Sequence, residues 1–219
     1  MSGVREENWF RKAGIQEIIL YMEIILREPA LPIIRTRRLV IRDIEVKDIS
    51  PEYVAWLNNP EVNKFLEVRF VEQTHRSVED YIIAKLKDTR SSKHFGVYDK
   101  GGERLIGTVT LPSIKWKHLS SDLSFVIGHP DAQGKGYATE AVHGVAYYCF
   151  KHCGLVKLWA GYYDGHTGSA KVLAKNGFKE EGRLVKELVD YTGKRVDHVL
   201  VGLLADDFVP DEKLLGSGA

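Results

Sequence analysis

The chain has 219 residues, a formal net charge of +1 and 28% charged residues. This length allows one substantial core and falls short of two full domains. The near-neutral charge argues against a nucleic-acid or membrane surface of one strong sign. The only two cysteines, Cys149 and Cys153, lie four residues apart on a predicted helix. This pattern favours core positions in a reduced, cytoplasmic protein, and no metal site is expected.

One apolar stretch near the N-terminus, residues 14–26, is too short to span a bilayer and contains Glu17 and Glu23. It predicts an amphipathic helix that docks on the main domain or on a second subunit, which is compatible with a homodimer. The predicted organisation is an N-terminal extension over residues 1–34, one domain over residues 35–208 and a flexible tail over residues 209–219.

The secondary structure follows from hydrophobic periodicity and turn residues. Strands are predicted at residues 38–42, 95–98, 105–111, 123–127, 156–162 and 196–204, and from residue 178 onwards. Helices are predicted from a cap at Asp48 through Leu57, from Ser77 onwards, over residues 134–153 and over residues 169–175. An initial hairpin followed by alternating strands and helices indicates the α/β class, with one mixed sheet and helices on its faces.

A glycine-containing loop, Gln133-Gly134-Lys135-Gly136, opens the predicted helix that follows a strand. The spacing excludes a P-loop, and the missing third glycine excludes a dinucleotide-binding loop. The unpaired N–H groups and the dipole at a helix start favour an anion. On these residues alone, a tight strand-to-helix turn that uses glycine only for its shape is an equally good interpretation.

Several segments in order make the chain resemble the GCN5-related N-acetyltransferases (GNAT), in the branch that includes the ribosomal-protein N-terminal acetyltransferases. They are the loop Gln133–Ala138 and the segments 35–42, 56–62, 105–109, 166–169 and 175–178. The resemblance covers about residues 35–205. It implies a GNAT fold, a single mixed and mostly antiparallel sheet of six to seven strands flanked by helices. It also implies acetyl-coenzyme A as the cosubstrate.

The resemblance assigns the cofactor contacts. Backbone groups of Phe125, Val126 and Ile127 would hold the pantetheine arm. The pyrophosphate would lie on the loop and the first helical turn, formed by Gln133, Gly134, Lys135, Gly136, Tyr137, Ala138 and Thr139. These positions agree with the anion site that the helix start favours.

Two positions depart from the family pattern. His166 stands where the family usually has asparagine at a cofactor contact, and histidine differs from asparagine in reach and charge. Leu173 stands where many members have a tyrosine general acid. The absence of that tyrosine is typical of this branch, in which Ser169 is a candidate for protonating the thiolate.

Asp122 is the predicted general base, because related proteins often have an acidic residue at this point of the strand. An acceptor amine with a pKa of about 10.4 is mostly protonated near neutrality, so a proton must be removed. Aspartate is shorter than the usual glutamate, and a bridging water is expected. Glu67 and His118 are weaker candidates. A strand N–H near Val126 is expected to stabilise the oxyanion.

Four residues are predicted to line the acceptor site: Trp56, Phe65, Glu67 and Tyr163. Aromatic residues at such spacing are also common in cores. A small-molecule amine such as an amino sugar or polyamine is favoured, because residues 56–70 resemble members that act on such amines. A protein N-terminus and a non-catalytic acetyl-coenzyme A-binding module remain alternatives.

Overall fold

Two five-stranded β-sheets meet along one continuous segment of chain, residues 120–127. The structure is a computed structural model that describes residues 33–88 and 90–216. The apolar helix predicted at residues 14–26 and most of the predicted N-terminal extension lie outside the described residues.

The first sheet is antiparallel and has the strand order β1–β2–β3–β4–β7. Its strands are β1 (Ile34–Arg35), β2 (Leu39–Asp43), β3 (Lys93–Asp99), β4 (Leu105–Leu111) and β7 (Ser124–Ile127). β3 and β4 form the predicted hairpin, whose turn contains Gly102 at a φ of +73°. Phe95 and Val97 point from β3 into the main core. The alternation of side chains therefore directs His94 to the opposite face.

The second sheet has the order β5–β6–β8–β10–β9 and combines antiparallel pairs with one parallel pair. Its strands are β5 (Ile114–Lys115), β6 (Ser120–Asp122), β8 (Lys157–Tyr163), β9 (Lys179–Val189) and β10 (Arg195–Leu204). The parallel pair is β6 and β8. Parallel strands need a crossover connection, which here includes a helix.

Six helices accompany these strands in the part of the chain that the structure describes. They are α1 (Pro51–Asn58), α2 (Pro60–Asn63), α3 (His75–Lys87), α4 (Tyr137–Lys151), α5 (Thr167–Lys175) and α6 (Glu212–Leu215). Within these described residues, no helix is long and apolar enough to cross a bilayer.

Helix α4, the crossover helix, packs against residues of both sheets. Its residues Val142, Val145 and Cys149 are fully buried. They join strand residues such as Phe95 and Leu158 in the main core. The predicted core position of Cys149 is confirmed. Burying an aliphatic or aromatic side chain contributes about 1.5–3 kcal/mol, so this packing fixes the position of the loop that precedes α4.

Helices α1 and α3 cover the opposite face of the first sheet. Tyr53 and Trp56 of α1 join Val78 of α3 in a second buried cluster. Tyr81 of α3 meets His94 of β3 edge to face, with ring centroids 5.2 Å apart. Because His94 points away from the main core, these helices and α4 lie on opposite faces.

The cap of α1 is Ser50, so the cap predicted at Asp48 was wrong. Ser50 Oγ accepts a hydrogen bond from Tyr53 N at 3.1 Å, and Pro51 occupies the first helical position. Proline is favoured there because its fixed φ suits the helix. Asp48 instead forms two 2.8 Å hydrogen bonds with the Arg42 guanidinium. Arg42 of β2 therefore binds the Asp48 carboxylate, which was predicted to cap the helix.

The predicted α/β class is confirmed, but the expected single sheet is divided into two. The segment 120–127 pairs with β8 before Leu123 and with β4 after it. The predicted C-terminal tail also has defined contacts as far as residue 216. Leu215 is buried, and Asp211 N donates to His143 Nε2 at 2.9 Å.

Candidate active site

A notch opens between β7 and β8. β6 pairs with β8 as far as Asp122 and Trp159, and Leu123 N then donates to Trp159 O at 2.8 Å. From Ser124 onwards the same strand pairs with β4. The two sheets therefore separate beyond Leu123, and one edge of β7 borders the notch.

The hydrogen-bond ladder decides which backbone groups of β7 face this notch. Gly128 N donates to Ile106 O at 3.1 Å. Because hydrogen-bonded pairs alternate in an antiparallel ladder, Val126 bonds with Thr108 on β4. The main-chain groups of Phe125 and Ile127 consequently point towards the notch. The Ile127 carbonyl accepts from Gln133 Nε2 at 3.2 Å.

This geometry refines the predicted cofactor contacts on β7. The N–H and carbonyl of Phe125 and the N–H of Ile127 are the groups that the ladder directs to the notch. The oxyanion donor was predicted near Val126, and the N–H of Phe125, one residue away, is the donor that this geometry favours.

The loop before α4 exposes backbone N–H groups. Gly134 and Gly136 have φ values of +72° and +80°, in the left-handed region that favours glycine. Gly136 is the N-cap, with no side-chain capping bond, and the first helical hydrogen bond runs from Glu140 N to Gly136 O. The N–H groups of Tyr137, Ala138 and Thr139 precede that bond, which makes this helix start suitable for a pyrophosphate.

Arg38 contacts this loop, although the sequence analysis assigned it no role. Its Nη1 donates to Lys135 O at 3.0 Å, and its guanidinium lies 4.4 Å from the ring centre of Tyr137. Its Nε donates to Glu140 Oε2 at 2.6 Å. Thr36 Oγ1 and Arg38 N donate to the other Glu140 oxygen at 2.7 and 2.6 Å. A partly exposed positive charge is thus held beside the predicted pyrophosphate site.

Asp122, the predicted base, lies at the closed end of the notch. Its Oδ1 accepts from Ser113 N at 2.8 Å. Burial raises the pKa of this carboxyl, and the hydrogen bond from Ser113 together with Lys115 and Lys85 offsets part of the rise. A raised pKa suits a carboxylate that accepts a proton near neutrality.

Three of the four predicted acceptor residues are brought together. Tyr163 Oη donates a short hydrogen bond to Glu67. The Phe65 ring lies 6.0 Å from that of Tyr163 and 5.6 Å from that of Tyr191. Burial and the bond to Glu67 raise the pKa of Tyr163. One carboxylate and several aromatic faces therefore line this site.

Trp56, the fourth predicted acceptor residue, is buried in the second cluster with Tyr53 and Val78. Its indole ring lies over Gly128, where a Cβ would overlap it. Its ring centre is 5.0 Å from that of Tyr53. The glycine after β7 thus allows α1 to approach the strand closely. Trp56 Nε1 is buried without a hydrogen-bond partner among the described residues.

His166 and Ser169 lie at the start of α5. The His166 ring stacks on Phe65 with centres 4.3 Å apart, and burial lowers its pKa, with a smaller effect from Lys64. The His166 imidazole is therefore mainly neutral at pH 7, and it contacts Phe65 of the predicted acceptor site. Ser169 is buried in the first turn. His118, a weaker base candidate, lies on an exposed turn after β5.

A split sheet beside a glycine-containing helix start is the arrangement that the resemblance to the N-acetyltransferases predicts. The sequence-family model described as acetyltransferase (GNAT) domain matches residues 38–179, which include β7, the glycine loop and α5. The chain therefore belongs to the GNAT acetyltransferase family and is an N-acetyltransferase.

Three relatives show the range of this family. The chain is 29% identical over 180 residues to the probable N-acetyltransferase YjcK of Bacillus subtilis, covering 80% of this chain and 98% of that protein. It is 28% identical over 121 residues to the [ribosomal protein uS5]-alanine N-acetyltransferase of Escherichia coli, covering 55% and 61%. The crystal structure of spermidine N-acetyltransferase from Vibrio cholerae with CoA and spermine has a TM-score of 0.68 at 25% identity, covering 77% of this chain and 96% of that one.

Proposed function

We propose that this enzyme transfers the acetyl group of acetyl-coenzyme A directly to a primary amine of a small molecule, such as a polyamine or an amino sugar. The cluster of Glu67, Tyr163 and Phe65 carries this proposal. A carboxylate attracts an ammonium group, and aromatic faces attract cations within about 6 Å of the ring centre. This cluster thus has the chemistry of an ammonium site, in which the Arg69 guanidinium already lies 5.0 Å from the centre of the Tyr163 ring.

A short loop limits the size of this site. Arg69 Nη1 donates to Tyr163 Oη and to Leu66 O, each at 3.0 Å, and Nη2 donates to Val189 O. These bonds connect the loop after α2 to the ends of β8 and β9. A loop held in this way favours a compact acceptor over an extended polypeptide.

The residues around the notch fit the coenzyme. The pyrophosphate would lie on the N–H groups of residues 134–139, with Gln133 and Lys135 beside it, where glycine provides an approach free of Cβ atoms. The pantetheine arm would form hydrogen bonds with the main-chain groups of Phe125 and Ile127 that point away from β4. His166 would contact the arm at the position where the family usually has asparagine.

The chain's own groups then carry the transfer. Asp122 takes a proton from the acceptor nitrogen, through a water because its Oδ1 is engaged by Ser113. The Phe125 N–H stabilises the oxyanion. Ser169 donates a proton to the sulfur as it leaves.

The test is an acceptor panel with acetyl-coenzyme A. Spermidine, glucosamine and a peptide with an N-terminal alanine are compared by thiol release and by mass of the product. We expect kcat/KM to be at least tenfold higher for one of the small amines than for the peptide. A higher kcat/KM for the peptide would instead establish a protein N-terminal acetyltransferase. Saturable binding of acetyl-coenzyme A without thiol release would establish a binding module.

The cellular setting is part of the same proposal. Cys149 and Cys153 form no disulfide among the residues that the structure describes, as is usual in the reducing cytoplasm. The homodimer predicted through the N-terminal helix is tested by the solution mass of the full chain and of a chain without residues 1–30.

A further inference from the structure

A histidine–glutamate pair lies on the second sheet. His198 Nδ1 and Glu187 Oε2 are 2.7 Å apart. The His198 side chain keeps 25% of its exposure and the Glu187 side chain 47%, so both reach solvent. When the neutral imidazole donates its Nδ1–H to the carboxylate, Nε2 carries the free lone pair.

An irregularity in β9 creates this pair. Between the pairs Val196–Leu188 and His198–Leu184, three residues of β9 oppose one residue of β10. Lys186 in this bulge has a φ of +51°, and its N–H donates to Asp197 Oδ1 at 2.9 Å. A non-glycine residue in the left-handed region is strained, and bulges re-aim neighbouring side chains. The bulge brings Glu187 beside His198.

The imidazole lies on the face that carries the predicted acceptor site. His198 pairs with Tyr163, and the His198 Nε2 occupies the space that a Cβ of Gly161 would fill. Paired residues share a face, as do alternate residues of one strand. Asp122, paired with Trp159 at the closed end of the notch, is therefore on this face too.

The spacing of the strands places the Asp122 carboxylate and the His198 imidazole within reach of the same bound amine. Neighbouring strands are about 4.8 Å apart and alternate residues about 6.7 Å apart, so the backbones at Asp122 and Gly161 are about 8 Å apart. An acceptor nitrogen bound near the end of the notch would lie between the carboxylate of Asp122 and the imidazole over Gly161.

We propose that His198, oriented by Glu187, is a proton acceptor in addition to Asp122. It takes the first of the two protons that the incoming ammonium group loses. This role rests on the proposed transfer to an amine. The freed nitrogen lone pair attacks the thioester carbonyl carbon and forms the C–N bond, while the carbonyl electron pair moves to oxygen. The second nitrogen proton passes to Asp122.

Collapse of the oxyanion then breaks the C–S bond, and the electron pair goes to sulfur. Ser169 passes a proton to the sulfur and recovers one from solvent. His198 and Asp122 release their protons to solvent, so one proton is released per acetyl group transferred. The charged and titratable groups around His198 include Glu187 on β9, Tyr163 on β8 and Arg195 on β10, whose Nη1 donates to Glu187 O at 3.2 Å. Glu67 and Arg69 contact the hydroxyl of Tyr163.

The first test is the pH dependence of kcat/KM in the full-length enzyme with its best acceptor. Without His198 the ammonium must lose its first proton to solvent, which becomes faster as pH rises, because Asp122 takes only the second proton. We expect His198→Gln to lower kcat/KM by about 10²-fold at pH 7 and by less than tenfold at pH 9.5. A loss of equal size at both pH values, or no loss, overturns the proposal.

Two further variants separate position from charge. Glu187→Gln keeps a hydrogen-bond acceptor and removes the charge, and we expect a smaller loss with the same recovery at high pH. Gly161→Ala keeps His198 and Glu187 but displaces the imidazole. We expect its loss of kcat/KM to have the same pH dependence as that of His198→Gln. His75→Gln and Glu180→Gln, at exposed positions, are the matched controls and should leave the profile unchanged.

A second measurement decides the role of His198 even if the panel contains no substrate. In the complex with coenzyme A, the NMR signal of His198 Cε1–H is recorded at pH 7 with and without saturating ethylamine. We expect ethylammonium to shift the His198 Cε1–H signal at pH 7 and to leave the His75 signal unchanged. An unchanged His198 signal contradicts the proposal, whereas a shifted signal without turnover in the panel contradicts the proposed acceptor class or the transfer itself.

Discussion

At the scale of residues, the fully buried carboxylate of Glu140 determines the surroundings of the cofactor loop. Three donors from Thr36 and Arg38 satisfy it. A buried charge is tolerated only when it is paired and hydrogen-bonded. The same guanidinium that neutralises it also holds the Lys135 carbonyl. One arginine therefore connects the start of the first sheet to the predicted pyrophosphate site.

Breaking this ion pair should affect stability and cofactor binding separately. Arg38→Ala leaves the buried carboxylate with two hydrogen-bond donors but no positive partner, and we expect it to lower the free energy of unfolding by about 1–3 kcal/mol. Adding Glu140→Gln should recover most of the stability but not the affinity for coenzyme A. Urea unfolding and calorimetric titration measure the two quantities. Full recovery of affinity in the double variant would show that Arg38 acts only through stability.

His94 predicts a pH dependence of stability. Burial lowers its pKa to about 4 in the folded protein, against about 6.5 in the unfolded chain. Between these values the unfolded state binds the proton more strongly, so stability falls as the pH decreases from 6.5 to 4. The loss amounts to about 3 kcal/mol.

Urea unfolding at pH 7 and pH 4.5 measures this effect, with His94→Gln compared with the exposed control His75→Gln. We expect the pH dependence to become flatter only in His94→Gln. An equally steep loss in both variants would assign acid sensitivity to other groups.

At the scale of elements, the start of α4 shows why a displaced helix boundary and a predicted binding loop coincide. The sequence predicts a helix from residue 134, but the helix begins at Tyr137. Gly134 and Gly136 adopt positive φ values, which a right-handed helix does not contain. Two residues that seemed to open the helix instead form the loop that presents its N–H groups.

Gly134→Ala should weaken binding of coenzyme A by at least about tenfold. Alanine in the left-handed region costs about 1 kcal/mol, and its Cβ would project into the open space at the predicted pyrophosphate site. Gly193→Ala is the matched control, because Gly193 has a φ of +84° and equally open surroundings in the β9–β10 turn. We expect similar losses of stability and a change in the dissociation constant only at Gly134. Equal dissociation constants for the two variants would argue against pyrophosphate binding at the loop before α4.

Local patterns predicted the elements that depend on local contacts. The β3–β4 hairpin, α4 and α5 follow from periodicity and turn residues. The site was predicted less completely, because its contacts join distant segments. Arg38 and Glu140 are 102 positions apart and leave no periodic signal. His198 was missed because its partner Glu187 depends on a bulge, and a bulge in β9 interrupts the alternation from which strands are recognised.

At the scale of the whole molecule, the division of the strands into two sheets produces the notch. The segment 120–127 belongs to both sheets, and its change of partner at Leu123 turns one edge of β7, with the main-chain groups of Phe125, towards the notch. Polar backbone groups at such an edge favour a partner with amides. The pantetheine arm of coenzyme A supplies amides of this kind.

Amide hydrogen exchange should reveal this asymmetry. We expect the Phe125 amide to exchange quickly in the free protein and to become protected by coenzyme A. The Val126 amide, bonded to β4, should be protected in both states. NMR exchange with and without coenzyme A measures both signals, and equal behaviour of the two amides would contradict the ladder alternation.

The parallel pairing of β6 with β8 has a consequence for the order of folding. The β3–β4 and β9–β10 hairpins close short loops, whereas β6 and β8 are joined only after the whole crossover through α4 has been ordered. Contacts between distant segments form slowly, because loop-closure entropy opposes them. We expect the hairpins to form early and the Leu123–Trp159 junction to form late. The enzyme would then acquire its cofactor site in the last step of folding, when two partly formed sheets dock.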